Sequence, residues 1–194
     1  MTNANGRYLG DDAFEPLFAE LDRRRAVVFL RPTSPAGWKE TALGRPRPMI
    51  EHIFDTTRTV TDLLSSGVLE RHANLPVIVP HCGGALPVLV DRVNEFSGLF
   101  LGANGTEAPE AATQLRRLFY DIAGPAFPRE GPALLGVVDP DRLLFGSDYC
   151  WTPPAVVAAD LAAIDAAPTP VEGTTWRSLT TANASRLFGE SRVR

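Results

Sequence analysis

Three polar residues stand within three positions after the end of a short apolar run of the sequence: Arg31, His81 and Asp148. An imidazole moves protons near neutral pH, a carboxylate ligates divalent cations or orients an imidazole, and a guanidinium binds carboxylates through paired hydrogen bonds. Each residue also has an ordinary structural interpretation. His81 is then a partly buried histidine bonded to a backbone carbonyl, Asp148 a helix cap, and Arg31 a solvated surface arginine. The functional interpretation is acid–base or metal-assisted chemistry on an anionic substrate.

Other catalytic interpretations of the sequence fit less well. Residues 146–150 read G-S-D-Y-C, which does not match the G-x-S-x-G turn of serine hydrolases. Cys82 adjoins His81, and neighbours on an extended strand point to opposite faces, which disfavours a cysteine–histidine dyad. His52 is expected on a helix surface and His72 in a loop before a strand, both with structural roles.

The apolar runs before the three polar residues have the length and composition of strands in a buried parallel sheet. Four such runs occur, at residues 26–30, 76–80, 118–122 and 143–145. Because the carboxyl ends of parallel strands meet at one edge, where ligands bind in α/β folds, we expect Arg31, His81 and Asp148 to lie together at that edge.

Helical patterns lie between these runs, with apolar residues three or four positions apart. The positions that carry this spacing are Phe14, Leu17, Phe18, Leu21, Ile53, Val60, Leu63 and Leu64. Asp11 or Asp12 is expected to cap the first helix, Gly67 to end the second, and residues 179–188 to form a closing helix. The alternation predicts an α/β protein with right-handed crossovers.

Composition limits the classes of protein to which this chain can belong. The 194 residues are 44% hydrophobic and 22% charged, with a net charge of -4, which is typical of one globular domain over residues 1–194. No basic stripe suits nucleic acid, and no apolar stretch is long enough to span a bilayer. The amino terminus has no secretory pattern, so we expect a cytoplasmic protein whose Cys82 and Cys150 stay as thiols.

Six motifs, taken in order, resemble the amidohydrolase-related proteins of the aminocarboxymuconate-semialdehyde decarboxylase type. This family includes metal-dependent decarboxylases of hydroxylated aromatic acids. The motifs are Y-L-G-D at 8–11, F-D-T-T-R at 54–58, P-H-C-G-G-A-L-P at 80–87, F-Y-D-I-A at 119–123, F-G-S-D-Y at 145–149 and N-A-S-R-L-F at 183–188. The resemblance covers nearly the whole chain, and it implies a TIM-type barrel with zinc- or manganese-dependent lyase or hydrolase chemistry.

The resemblance also implies roles for single residues. His81 matches the family's proton-handling histidine, and Asp148 matches its metal-binding aspartate. The family's remaining metal ligands have no match, because the chain contains no H-x-H pair and carries Arg31-Pro32 where the family has His-Pro. A guanidinium has no lone pair for a metal, so Arg31 removes a ligand and adds a positive charge beside the expected cation.

A complete barrel of this type needs about 250 residues and eight strands. The chain matches roughly the C-terminal two-thirds of the family's barrel and has about four convincing strands, so we expect a partial barrel that lacks the first strands. Such a barrel has unpaired strand edges and exposed apolar surface. The sequence therefore predicts a homo-oligomer, since self-association is the simplest way to cover them.

Three functions remain open from the sequence. The first is a metal-dependent decarboxylase or hydrolase of a small carboxylate, with an incomplete metal site and no activity expected from the isolated chain. The second is a non-catalytic relative, an interaction subunit or small-anion binder, in which an Arg31–Asp148 ion pair takes the place of the cation. The third is a metal-independent enzyme with His81 as base and Arg31 as carboxylate clamp.

Overall fold

The computed structural model describes residues 1–100 and 110–189. Within these ranges, four parallel strands form one sheet: β3 (Val28–Phe29), β4 (Val77–Val79), β5 (Phe119–Asp121) and β6 (Leu143–Leu144). A short antiparallel hairpin precedes them, formed by β1 (Asn3–Ala4) and β2 (Arg7–Tyr8). All four predicted sheet strands are confirmed, each somewhat shorter than its apolar run. The pattern did not predict the hairpin.

The sheet follows the order of the chain, β3-β4-β5-β6, and every neighbouring pair is parallel. Helices precede, connect and follow the strands of the sheet: α1 (Glu15–Arg23), α2 (Trp38–Thr41), α3 (Glu51–Ser65), α4 (Val68–Arg71), α5 (Leu86–Phe100), α6 (Ala111–Leu115), α7 (Gly131–Leu135), α8 (Pro154–Ala166) and α9 (Trp176–Phe188). Because all four strands run the same way, their carboxyl ends lie at one edge of the sheet. The predicted α/β class is confirmed.

Two helix ends form as the sequence predicts. Asp11 Oδ1 accepts a hydrogen bond from the Ala13 N–H at 2.9 Å and caps the 3-10 turn that leads into α1. Gly67 follows α3 with a φ of 72°, in the left-handed region where glycine is favoured. The predicted closing helix is also present, but α9 begins three residues earlier, where Thr175 and Ser178 cap each other's main-chain N–H groups, which the pattern did not predict.

The core lies on both faces of the sheet. All three residues of β4 are buried, as expected for a strand covered by helices on both sides. Trp176 of α9 is 2% exposed, donates from Nε1 to the Pro168 carbonyl at 3.2 Å, and packs against the Phe127 ring. The aromatic ring is therefore buried while its single polar group stays bonded.

A buried carboxylate anchors the hairpin and the segment that follows β3. Asp55 of α3 is fully buried and accepts hydrogen bonds from the Thr2 hydroxyl, Asn3 Nδ2 (3.0 Å), the Tyr8 hydroxyl (3.0 Å) and the Thr33 N–H (3.2 Å). Burial, followed by the Asp55 charge, raises the pKa of Tyr8 to about 12. The network fixes the chain just beyond β3, where Arg31 lies.

The two edges of the sheet differ. Within the described ranges β3 pairs only with β4, and Phe29 at this edge is 47% exposed. At the β6 edge, Asn183 of α9 donates from Nδ2 to the carbonyls of Leu143 (2.7 Å) and Pro140 (2.9 Å). The β6 edge is therefore partly capped by a side chain, whereas the β3 edge is open.

In the part of the chain that the structure describes, no helix has the length and hydropathy needed to cross a membrane.

Candidate active site

The structure brings Arg31, His81 and Asp148 together at the carboxyl edge of the sheet. Arg31 follows β3, His81 follows β4 and Asp148 follows β6. Arg31 Nη2 lies 2.5 Å from Asp148 Oδ1, and His81 Nε2 lies 3.7 Å from Asp148 Oδ2. One carboxylate thus lies between a guanidinium and an imidazole.

The Arg31–Asp148 ion pair is partly buried. The Arg31 side chain is 36% exposed and that of Asp148 is 17% exposed. Thr152 Oγ1 also donates to Asp148 Oδ2, at 3.4 Å. Both carboxylate oxygens therefore have protein partners, and the guanidinium still faces solvent on one side.

His81 lies in a tight turn, and this corrects the expectation that it and Cys82 continue an extended strand. The two residues have φ values of 55° and 51° and open the 3-10 turn His81–Gly83. Cys82 is fully buried, and burial raises the pKa of its thiol far above the usual range. A Cys82–His81 dyad is therefore disfavoured by burial of the thiol rather than by strand alternation.

The imidazole of His81 has one nitrogen near Asp148 and one without a protein partner. Its side chain is 15% exposed, and Nδ1 is buried with no hydrogen-bond partner among the described residues. A buried polar nitrogen without a partner is unusual, because an unmade hydrogen bond is costly in free energy.

Asp121 is a site residue that the sequence reasoning missed. At the end of β5, it is 3% exposed and accepts two hydrogen bonds at Oδ1, from the main-chain N–H groups of His81 (2.8 Å) and Ala123 (3.1 Å). Burial raises its pKa, while these hydrogen bonds and the nearby His81 and Arg31 act in the opposite direction. The available signal was the motif F-Y-D-I-A, in which an aspartate ends a strand.

Gly146 is needed beside Asp121. A Cβ at this position would lie 3.1 Å from the Cβ of Asp121, closer than side chains normally approach. The glycine allows the chain after β6 to pass over the end of β5. It therefore helps to place Asp148 above the same edge.

His52 also lies beside the site, although the sequence reasoning assigned it to a helix surface. It stands in the first turn of α3, and burial lowers its pKa, with the positive charges of Arg47, His81 and Arg31 acting in the same direction. Arg47 is held in place because Nη1 donates to Ser34 Oγ at 2.5 Å. Among charged groups, Asp55 acts in the opposite direction, so the net effect of its charged neighbours on His52 is that of positive charge.

His72 is remote from this cluster and has structural partners, as the sequence predicted. Its Nε2 lies 2.9 Å from Glu15 Oε1 and its Nδ1 lies 3.3 Å from Asp22 Oδ2. The ring stacks on Phe18, with 6.0 Å between centroids. His72 thus joins α1 to the end of α4.

The donor groups at the site do not fit a divalent metal ion. Zinc sites normally use three or four protein ligands, and no group of three or more His, Cys, Asp or Glu side chains suited to a metal occurs in the ranges 1–100 and 110–189. Asp148, the expected ligand, is instead paired with the Arg31 guanidinium. A guanidinium donates no lone pair, so it cannot complete a ligand set.

Comparison with known proteins identifies the family. The family model described as amidohydrolase matches residues 1–190. The chain belongs to the amidohydrolase family. It is 36% identical over 142 residues to the 6-methylsalicylic acid decarboxylase of Penicillium expansum, a match that covers 73% of this chain and 44% of the fungal protein. The resemblance found in the motifs is thus confirmed, and this amidohydrolase chain spans about half the length of the curated relatives it matches.

Solved structures confirm the fold as a partial TIM-type barrel. A crystal structure of an amidohydrolase II protein matches with a TM-score of 0.82 and 29% identity, over 96% of this chain and 59% of that one. The dihydroxybenzoic acid decarboxylase of Polaromonas sp. JS666, solved with manganese and 2-nitroresorcinol, matches with a TM-score of 0.78 and 16% identity, over 96% and 56% of the chains. Manganese is therefore the ion bound in this neighbour, which shares the fold of the chain.

Proposed function

We propose that this amidohydrolase chain is part of a carboxy-lyase that acts on a small hydroxylated aromatic acid. The observation that carries the proposal is the meeting of Arg31, His81 and Asp148 at the carboxyl edge of the sheet. Its chemistry suits a carboxylate substrate, and similar members of the family are named as decarboxylases of aromatic acids. We propose further that residues 1–194 form one domain, the C-terminal two-thirds of the family's barrel.

In decarboxylation the bond between a ring carbon and the carboxylate breaks. Carbon dioxide leaves, and the electron pair that stays on the ring carbon takes up a proton, forming a carbon–hydrogen bond. The enzyme must therefore hold the carboxylate and supply one proton to the ring. Within this proposal His81 supplies that proton, since an imidazole gains and loses a proton near neutral pH.

Arg31 has hydrogen-bonding capacity left for a substrate. A guanidinium carries five N–H donors in a planar fork, and Nη2 is the only Arg31 nitrogen with a hydrogen bond in the described structure. The free donors suit the oxygens of a carboxylate. Asp148 then orients the guanidinium and lies beside the imidazole of His81. No step assigned here uses a divalent ion, because the donor groups do not fit one.

A second function, binding of a small anion without catalysis, is favoured by the same ion pair. Arg31 and Asp148 contact each other as that hypothesis requires. The two candidates share the ligand class and differ only in whether the carboxylate is released as carbon dioxide. Measurement of turnover separates them.

The test is to titrate 6-methylsalicylate and benzoate into the full chain by calorimetry and to assay carbon dioxide release in parallel. Binding with turnover that His81→Asn abolishes supports the carboxy-lyase, whereas binding without turnover supports the anion binder. Arg31→Ala should weaken binding, because Arg31 is the proposed anchor of the carboxylate. Its matched control is Arg177→Ala, because Arg177 also forms an ion pair, with Asp165, but outside the site. Absence of binding for every benzoate would contradict both functions.

We also propose that the chain self-associates through the open edge of β3. Val28 and Leu30 direct their N–H groups to Pro76 and Ile78 (2.9 and 3.0 Å), so Phe29 between them directs its main-chain groups away from β4. An edge with free main-chain groups and an exposed aromatic side chain favours pairing with another chain. Light scattering after size-exclusion chromatography tests this directly.

For the compartment we propose the cytoplasm. Cys82 and Cys150 are both free thiols, as a reducing environment favours. Fractionation of cells that express the tagged chain tests this proposal.

A further inference from the structure

The polar groups of this site do not match the metal chemistry that the resemblance implies for its family. Asp148 occupies the position that resemblance assigns to a metal-binding aspartate, yet its Oδ1 is 2.5 Å from Arg31 Nη2. We propose that the Arg31 guanidinium takes the place of the divalent cation in this chain, so that the site binds a small carboxylate without a metal. The ligand class rests on the proposed function, whereas the exclusion of the metal does not.

The distance leaves no room for an ion between the two groups. A metal bound to a carboxylate oxygen sits about 2 Å from it and needs further ligands around it. Arg31 would have to leave Asp148 before such an ion entered. The Arg31 guanidinium thus competes directly with a metal ion for one oxygen of the Asp148 carboxylate.

The main chain on both sides of this pair is anchored. Leu30 donates to the Ile78 carbonyl at 3.0 Å, and Thr33 donates to the buried Asp55 at 3.2 Å, so the segment that carries Arg31 is held at both ends. The Asp148 carbonyl accepts hydrogen bonds from the main-chain N–H groups of Trp151 and Thr152, at 2.9 and 3.1 Å. The contact is therefore part of a preorganised edge.

The charges around the pair also disfavour a second cation. The Arg31 guanidinium and the His81 imidazole lie beside Asp148, and both act on His52 as positive charges that outweigh Asp55 there. Asp121, a buried carboxylate at the same edge, uses Oδ1 to hold two main-chain N–H groups. A divalent ion would meet positive groups here, whereas an anion would be attracted by them.

The experiment measures metal binding and anion binding separately on the full chain. Manganese binding is followed from the electron paramagnetic resonance signal of free Mn²⁺, and benzoate binding is followed by calorimetry with and without EDTA. We expect no Mn²⁺ binding at millimolar concentration and the same benzoate affinity in EDTA and in MnCl₂. Arg31→Ala should weaken benzoate by about tenfold or more, the loss expected when a charged hydrogen-bond donor is removed.

Two variants keep the test decisive. Arg31→Gln retains a side-chain donor without the charge, and it replaces Arg31→Ala if circular dichroism shows that the alanine variant does not fold. Arg177→Ala, from the exposed pair with Asp165, should leave benzoate affinity unchanged. An equal loss of benzoate affinity in the Arg31 and Arg177 variants would overturn the role of Arg31 as the anion anchor, because it would indicate an effect of net charge alone.

The outcomes distinguish the two proposals. Stoichiometric Mn²⁺ binding that Asp148→Asn abolishes, or benzoate binding that requires Mn²⁺, would overturn the replacement of the metal by Arg31 while leaving a carboxylate-binding function intact. No benzoate binding together with no Mn²⁺ binding would overturn both the proposed function and the role of Arg31 as anion anchor. Benzoate binding that depends on Arg31 and is unchanged by Mn²⁺ or EDTA supports both the carboxylate-binding function and the replacement of the metal by Arg31.

Discussion

The main-chain N–H of His81 donates a hydrogen bond to Oδ1 of Asp121, 40 residues later in the chain, at 2.8 Å. The same oxygen accepts the N–H of Ala123 at 3.1 Å. His81 has a φ of 55°, a backbone conformation that is uncommon for residues with a side chain. The Asp121 carboxylate at the end of β5 thus stabilises the turn after β4 and thereby positions the His81 imidazole.

Asp121→Ala should therefore destabilise the protein and displace His81. Two main-chain donors lose a buried acceptor, for which we expect a loss of about 2–4 kcal/mol in the free energy of unfolding. Asp121→Asn keeps an acceptor oxygen and should cost clearly less. Urea unfolding of both variants measures the difference, and equal losses would show that the hydrogen bonds to this side chain do not stabilise the turn.

Asp55→Ala should have the largest effect on stability among these variants. Asp55 is fully buried and is the shared acceptor for the hairpin and the segment after β3. Removing it leaves several buried donors without a partner, so we expect a loss of about 3–5 kcal/mol. Asp11→Ala is the control, because Asp11 is an exposed cap worth about 1 kcal/mol. Similar losses in the two variants would contradict the network around Asp55.

His52 should titrate below its ordinary pKa of 6.5, because burial and then the charges of Arg47 and His81 disfavour its protonated form. The folded protein then binds this proton more weakly than the unfolded chain, so stability is lost as pH falls below 6.5 and is unaffected by this group above it. Imidazole NMR shifts followed against pH measure the pKa. Arg47→Ala should raise the pKa of His52 towards 6.5, and Arg177→Ala should leave it unchanged. An unchanged His52 pKa in Arg47→Ala would show that the charge of Arg47 does not act on His52.

The Arg31–Asp148 pair should contribute a coupling energy between those of exposed and buried pairs. Its side chains are 36% and 17% exposed, so we expect about 1–2 kcal/mol from a double-mutant cycle with Arg31→Ala and Asp148→Ala. The coupling should persist in part at about 1 M salt, which screens exposed pairs strongly. The exposed pair Arg177–Asp165 is the reference cycle, and a coupling no larger than that reference would contradict the partly buried geometry.

Phe29→Lys should reduce self-association. A charge on an open strand edge opposes pairing with a second strand, and Phe29 is 47% exposed on β3. Leu17→Lys is the matched control, because Leu17 is 48% exposed on α1 rather than at the sheet edge. Multi-angle light scattering gives the mass of each variant. A wild-type monomer, or equal dissociation of both variants, would contradict association through β3.

Much of the architecture could be predicted from local sequence. Short β-branched runs separated by helical spacing indicate parallel strands, because a strand buried on both faces must be apolar on both. The same rule places residues that follow such strands at one edge, which is where Arg31, His81 and Asp148 are found. Six motifs in the family's order were sufficient to identify the family and to predict the partial barrel. These inferences succeed because a strand that is buried on both faces leaves an apolar run in the local sequence. A helical pattern between two such runs then indicates that the strands are parallel.

Contacts between distant residues depended on the fold. Arg31 and Asp148 are 117 residues apart, and their ion pair was only one of three hypotheses open from the sequence. The structure decided that the pair forms and that the His81 ring faces the other carboxylate oxygen. The same holds for Asp121, whose partner lies 40 residues away in a turn with positive φ, where strand alternation no longer predicts side-chain direction. Hydrogen bonds are short and directional, so only the curvature of the folded sheet decides which polar groups meet.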